Sequence, residues 1–507
     1  MPRRKSPQPY PKFIEFVKEI SDLEMVMSLL DWDQETYMPP GAINMRARQT
    51  ATVSGILHDW TTSKKMGRYL ERLTRPSVWE KLNEVERVNV REIKRVYDKQ
   101  TKLPRELVME IARTTSMSQN TWAIARKNND FKKFLPYLIK MVELKQKVAE
   151  AIGYEDTPYD PLLDDFEPYA KTKEVARVLE NLRKKLVPIA RKIIDSSDKP
   201  DEKIFLQKYP IGAQKRFALR VLRNMGYDFK RGRMDISAHP FTSGNGDDVR
   251  ITTRYDPNDL RPALFAAIHE GGHALYEQGY DPKHYGTPMA QAISLGYHES
   301  QSRLWENLVG RSRPFWEYYY PRLQKVFPKQ LEKYDMEEFY RGVNLVRPSL
   351  IRVEADEVTY NLHILLRFEM EKDMIEGKLD PKEAPEVWNQ KMDEYLGITP
   401  DTDSNGVLQD IHWSMGLMGY FPTYTLGNLY SAQIFHQAKK EIKDLDELIA
   451  SGKLRPLRNW LRENIHRHGK RYTAEELTKR LTGEPLNEDY FINYLREKYS
   501  PIYGVKL

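Results

Sequence analysis

The 507-residue chain is 40% hydrophobic, enough to bury a large core as one domain or two lobes, and it contains no Cys. The missing thiol excludes disulfides, thiolate metal ligands and a Cys nucleophile, and it fits a cytoplasmic protein. The formal net charge is +7, but 80 Lys and Arg are interleaved with 73 Asp and Glu, which describes solvated helix faces and argues against a nucleic-acid partner.

The N-terminal Met1-Pro2-Arg3-Arg4-Lys5 is basic with no apolar stretch behind it, and no run anywhere is long and apolar enough to span a bilayer, so no membrane partner is expected. Apolar residues then recur at three and four spacing and predict helices over 13–30, 46–58, 79–101, 105–126, 130–151, 174–196 and 214–225. The pattern breaks over 232–256. There the Asn245-Gly246 turn and the β-branched alternation of Val249-Arg250-Ile251-Thr252-Thr253 predict a β-hairpin. Pro262 opens a further helix that runs through His269 to His273, and the Gly- and Pro-rich stretch 278–288 reads as a loop that returns the chain toward it. Later helices are predicted over 314–326, 353–376, 384–396, 430–438 and 454–467. No repeat, low-complexity tract or long linker interrupts them. The fold class is mainly α, one large domain over 1–507 with a small β-sheet beside the helix of His269.

That helix carries His269-Glu270-Gly271-Gly272-His273. The helical repeat puts the two imidazoles on one face a turn apart, where both can reach a tetrahedral Zn²⁺, and Glu270 stands where a metalloprotease keeps its general base. The rival reading is a chance match on an ordinary amphipathic helix, expected in roughly a few per cent of chains this long. Two glycines between the histidines weaken a helix by about 1 kcal/mol each, which implies close approach of a packing helix or of substrate. A catalytic zinc needs a third protein ligand and an open fourth position. Glu299, in Tyr297-His298-Glu299-Ser300-Gln301, is the leading candidate, with His298 as its rival; neighbours on a helix point about 100° apart, so one of them faces the metal. The alternative for Glu299 is an ordinary i,i+4 ion pair with Arg303.

Several separated motifs together resemble the HExxH metallocarboxypeptidases of the thermostable carboxypeptidase Taq type: His239-Pro240-Phe241, Asp248-Val249-Arg250-Ile251-Thr252, the His269–His273 motif, His298-Glu299-Ser300-Gln301, Ile351-Arg352-Val353-Glu354-Ala355-Asp356 and Gly406-Val407-Leu408-Gln409-Asp410-Ile411-His412-Trp413. Trp32-Asp33-Gln34-Glu35-Thr36-Tyr37-Met38-Pro39 matches the family's N-terminal helices, so the likeness covers nearly the whole chain. High charge and absent Cys also fit a thermophile composition.

The resemblance implies a mostly helical, two-lobed catalytic domain split by a deep substrate groove, with helices of about 10–120 forming part of the cleft wall or a lid. It implies a homodimer that releases single residues from the C-termini of peptides or unfolded proteins, with broad specificity and poor acceptance of proline. Zn²⁺ is the expected cofactor, held by His269, His273 and Glu299, with Co²⁺ possible. Glu270 is the expected base, and His412 and Tyr420 the oxyanion donors, with Tyr424 as the rival phenol. Arg352 is expected to bind the terminal carboxylate through its planar fork, with Arg250 as second choice, and His239 and Gln409 are further substrate contacts. The competing classes are a zinc endopeptidase or oligopeptidase on the same scaffold and a non-enzymatic helical interaction protein.

Overall fold

The computed structural model describes residues 8–507. Helix α1 (Tyr10–Thr36) places Tyr10, Phe13, Phe16, Val17 and Ile20 on one stripe, at the spacing that keeps them on a single face. That stripe packs on Met66, Leu70 and Leu73 of α3 (Lys64–Leu73) and on Val90 of α4 (Glu84–Lys102), making a small hydrophobic core of its own. A capping box between Asn83 and Glu86 starts α4. Between these elements α2 (Ile43–Thr61) buries a single residue, Arg46, whose guanidinium bonds Leu30 O and Asp33 on α1.

Everything from Leu107 onward shares a second, far larger core. The helices α5 (Arg105–Asn128), α6 (Phe131–Ile152), α7 (Thr172–Ile194) and α8 (Ile211–Met225) lead into the sheet. Its strands β1 (Gly232–Ile236), β2 (Thr242–Asn245) and β3 (Asp248–Thr253) lie in the order β1-β3-β2. The expected hairpin over 232–256 is confined to β2 and β3, joined antiparallel with Asn245 opposite Asp248. β1 instead crosses over and pairs parallel with the far edge of β3, because the loop through His239-Pro240 carries the chain across rather than back. Gly244 sits at positive φ where a Cβ would lie 1.9 Å from Asp248 O, so no side chain fits at this end of the hairpin.

Helix α9 (Arg261–Glu277) follows, then α10 (Leu295–Arg303), α11 (Arg313–Val326), α12 (Tyr360–Ile375), α13 (Ala384–Leu396) and α14 (Pro422–Glu441). Two expected helix starts move furthest. The helix predicted from 353 begins at Tyr360, because the Asp356 carboxylate accepts from Val358 N, Thr359 N and the Thr359 hydroxyl and so turns the chain there. The helix predicted from 430 begins at Pro422, a residue suited to a first turn.

Packing around α9 explains its glycines. A Cβ on Gly271 would lie 2.5 Å from Leu222 Cδ2 of α8, and one on Gly272 would lie 2.6 Å from Gln301 O and Ser302 Cα of α10. Both faces are closed by neighbouring helices, so it is packing rather than substrate that excludes side chains. Gly427 of α14 does the same on the other side of α10, where a Cβ would meet Glu299 Cγ at 2.6 Å. The result is a mainly α, two-lobed molecule with a small sheet beside α9. A groove cavity of about 620 Å³ opens onto His269 and Glu270 and extends to Arg352 and Tyr360. Among the described residues, no helix is long and apolar enough to cross a membrane.

Candidate active site

Helix α9 delivers His269 and His273 one turn apart with ring centroids 4.9 Å from each other. Helix α10, pressed against Gly272, brings Glu299 Oε2 to 3.6 Å from His269 Nε2 and 3.3 Å from His273 Nε2. Among the described residues these three form the one group whose potential ligand atoms all lie within 4.8 Å of one another. Two imidazoles and a carboxylate, with no fourth ligand in the group among the described residues, fit a borderline divalent ion with a position left open, and do not fit a closed structural site.

The other oxygen of Glu299, Oε1, accepts from Arg303 Nε at 2.6 Å. The ion pair and the cluster, alternatives in the sequence, coexist on opposite oxygens of one carboxylate. Burial alone would raise the Glu299 pKa, but Arg303 and the two imidazoles hold it well below the usual carboxylate range. His298 is turned away, its Nε2 2.9 Å from Glu277 Oε1.

His269 Nδ1 lies 2.8 Å from Glu306 Oε2, the carboxylate–imidazole contact that fixes which nitrogen faces a metal. Glu306 belongs to a π turn, Leu304–Val309, that continues α10. Burial alone would raise the Glu306 pKa, but the His269 hydrogen bond, and then Arg303 and Arg311, hold it well below the usual carboxylate range. Sequence reasoning missed Glu306, although the spacing 299, 303, 306 already places it on the face of Glu299.

Glu270 is buried, and burial raises its pKa. The Thr242 hydroxyl on β2 lies 2.6 Å from its Oε2 and 3.0 Å from its carbonyl, orienting the carboxyl group. His273 is pushed down to about 3, first by burial and then by neighbouring His298, so its ring is neutral at ordinary pH.

At the other end of the cavity Arg352 is buried. Its Nε and Nη2 both donate to Asp410 Oδ1, at 2.9 and 2.8 Å, and its Nη1 donates to Tyr360 Oη at 2.9 Å. Asp410 Oδ2 accepts from Arg367 Nε at 2.6 Å. Two guanidinium groups therefore share one carboxylate, leaving one positive charge in surplus. Burial would raise Asp410, yet Arg367 and Arg352 hold it far below its ordinary value, while burial lowers Arg367 to about 10.

Gln409, expected to touch substrate, is spent on backbone instead: its Oε1 accepts from Arg352 N at 2.9 Å and its Nε2 donates to Leu350 O and Asn405 O. Arg250 is bidentate on Asp248 and lies 4.2 Å over the Trp32 ring, away from the cavity lining. His239 leaves its ring exposed beside Pro240, which does line the cavity. His412, Tyr420 and Tyr424 cluster together: Tyr424 Oη is 3.5 Å from His412 Nε2, and the Tyr420 ring is 5.4 Å from His412 and 5.3 Å from Tyr424. Burial lowers His412 to about 4, so it too is neutral at ordinary pH.

Comparison with known proteins gives one consistent picture. The model of the carboxypeptidase Taq (M32) metallopeptidase family matches residues 12–499. Thermostable carboxypeptidase 1 of Thermus thermophilus is 43% identical over 98% of this chain and 99% of its own length. Carboxypeptidase 1 of Bacillus subtilis is 38% identical over 97% and 98%. Among solved structures, the M32 carboxypeptidase from Deinococcus radiodurans R1 superposes with a TM-score of 0.95 at 39% identity, covering 98% of this chain and 99% of that one.

Proposed function

The chain belongs to the carboxypeptidase Taq (M32) metallopeptidase family, peptide hydrolases that use a divalent metal, and from that premise we propose how its groove works. The metal is zinc, with Co²⁺ a workable substitute, and its ligands are His269, His273 and Glu299. The reaction removes single C-terminal residues of broad type, poorly for proline, from peptides and unfolded chains. The observation that carries this reading is the surplus positive charge of Arg352, Arg367 and Asp410 at one end of the cavity that opens on the ligand cluster. A buried charge in surplus is stabilised by an anion, and a peptide's terminal carboxylate is the anion that distinguishes an exopeptidase substrate.

When bound, zinc supplies a Lewis acid that polarises the scissile carbonyl and acidifies a water. The remaining chemistry falls to side chains. Glu270, oriented by Thr242, takes the proton of the attacking water and returns it to the leaving amine. His412 and Tyr420 donate to the developing oxyanion, the neutral His412 through an N–H that needs no counter-charge; Tyr424, closer to Arg352, is the rival phenol. Arg352 offers its remaining N–H edge to the terminal carboxylate while Asp410 holds the opposite edge. Gln409 supports the backbone under that guanidinium. The N-terminal lobe walls the groove, and the enzyme works as a cytoplasmic homodimer without nucleic acid or membrane.

The test compares a peptide acid with the same peptide amidated at its C-terminus. The wild type should strongly prefer the acid. Arg352→Ala should lose about 3 kcal/mol, some two orders of magnitude in kcat/KM, on the acid alone and keep its metal. An unchanged acid-to-amide ratio in the variant would transfer the role to another arginine, and equal wild-type cleavage of both peptides would make the enzyme an endopeptidase.

A further inference from the structure

The two imidazoles of the cluster are held by different means. His269 has a hydrogen-bonding partner, Glu306, on its second nitrogen. His273 has none among the described residues: its Nδ1 is buried and makes no hydrogen bond with them. An imidazole ligand without such a bond can swing about its side-chain torsions, and the aim of its Nε2 then depends on what packs against the ring faces.

What packs there is His298. Its ring lies on that of His273 with centroids 4.3 Å apart and planes within 15°, and Tyr276 continues the stack at 5.7 Å and 28°. His298 is itself anchored. Its Nε2 is 2.9 Å from Glu277 Oε1, and the same carboxylate accepts from Tyr280 Oη at 3.2 Å and, on its other oxygen, from Asn245 Nδ2 at 3.0 Å. Glu277 thus gathers His298, Tyr280 and Asn245 on one carboxylate, and the His298 ring is held at its Nε2. Glu277 closes the same helix that carries His273, and Asn245 ends β2, so the stack ties α10 to both the metal helix and the sheet.

We propose that His298 is a positioning residue that fixes the plane of His273 by stacking on it, with Glu277 as its anchor. The proposal rests on His273 being a metal ligand. It explains why a residue next to Glu299 can be a histidine without coordinating: its ring does for His273 what Glu306 does for His269.

The test uses the zinc-loaded protein and follows metal release into excess chelator, alongside kcat and KM. His298→Ala should release zinc roughly ten- to a hundredfold faster and lower kcat while leaving KM near normal, because the loosened group is the metal's support and not the substrate's. His298→Phe keeps a ring on His273 and loses only the bond to Glu277, so it should release zinc more slowly than His298→Ala, at a rate between that variant's and the wild type's. A wild-type release rate in His298→Ala overturns the proposal. So does a His298→Phe variant as fast as His298→Ala, which would make the hydrogen bond and not the ring the active element. A His273→Ala variant that still binds zinc stoichiometrically would instead overturn the ligand set on which the proposal stands.

Discussion

Helices α9 and α10 meet almost backbone to backbone, through Gly272 and the main chain of Gln301 and Ser302, while α2 meets α1 through the long side chain of Arg46 and buries no other residue. The first contact brings Glu299 Oε2 of one helix to 3.3–3.6 Å from the two imidazole nitrogens of the other. The second only ties two N-terminal helices together. Tolerance to substitution should follow that difference, since close-packed backbone transmits every displacement and a solvated face absorbs it.

The largest expected effect lies on the tight side. Glu270→Gln keeps the shape of the base and removes its proton affinity, so kcat should fall by about 10²–10⁴ while metal stays at full stoichiometry. Near-normal turnover would show the base to be elsewhere. Next comes the seat of the N-terminal lobe. Trp32 is buried between Arg250 and Arg233 at the end of α1, and Trp32→Ala should loosen that lobe by about 3 kcal/mol. Limited proteolysis within 10–102 should accelerate with metal content unchanged, and the preference for a denatured protein substrate over its folded form should shrink. A wild-type preference in the loosened variant would remove the lobe from the cleft wall.

Gly272→Ala should cost about 1–3 kcal/mol of stability, because the added carbon meets fixed backbone at 2.6 Å and α10 must move away, taking Glu299 with it. Unfolding midpoints and zinc content should fall together; a stable variant with normal zinc would mean the two helices are less tightly coupled than their geometry requires. The smallest effect is its mirror image. Gly55, inside α2, has open space where a Cβ would go, so Gly55→Ala should raise stability by up to about 1 kcal/mol and leave activity alone.

The same contrast decides what could be read from the chain. That His269, His273 and Glu299 could converge was legible, since helical spacing aligns the imidazoles and places neighbouring His298 on a different side from Glu299. Glu306 escaped although its spacing puts it on the face of Glu299, because a shared face does not say that a carboxylate meets His269 of another helix. The pairing of Arg352 with Asp410 and Arg367 escaped because it joins three distant segments, and a pattern of apolar residues says nothing about which charges meet. The apolar stripe of α1 was visible, but not that it closes on α3 and α4 apart from the main core: periodicity shows that a face is buried and not against what. The short helix α3 went unread. β1 looked like the first arm of a hairpin because its parallel return differs from an antiparallel one only in the path of the loop.

Arg352, paired with Asp410, lines the cavity that opens on the ligand cluster. If Arg352 holds the terminal carboxylate as proposed, each cut leaves a free amino acid and a shortened peptide that both bear the group it binds. Released amino acids therefore compete with the next substrate, and accumulating product should slow the reaction without any separate inhibitory site. The shortened peptide must also advance by one residue, roughly 3.3 Å, before its new terminus reaches the same guanidinium. Whether it slides or leaves and returns decides whether a peptide is trimmed in long runs or one residue per encounter.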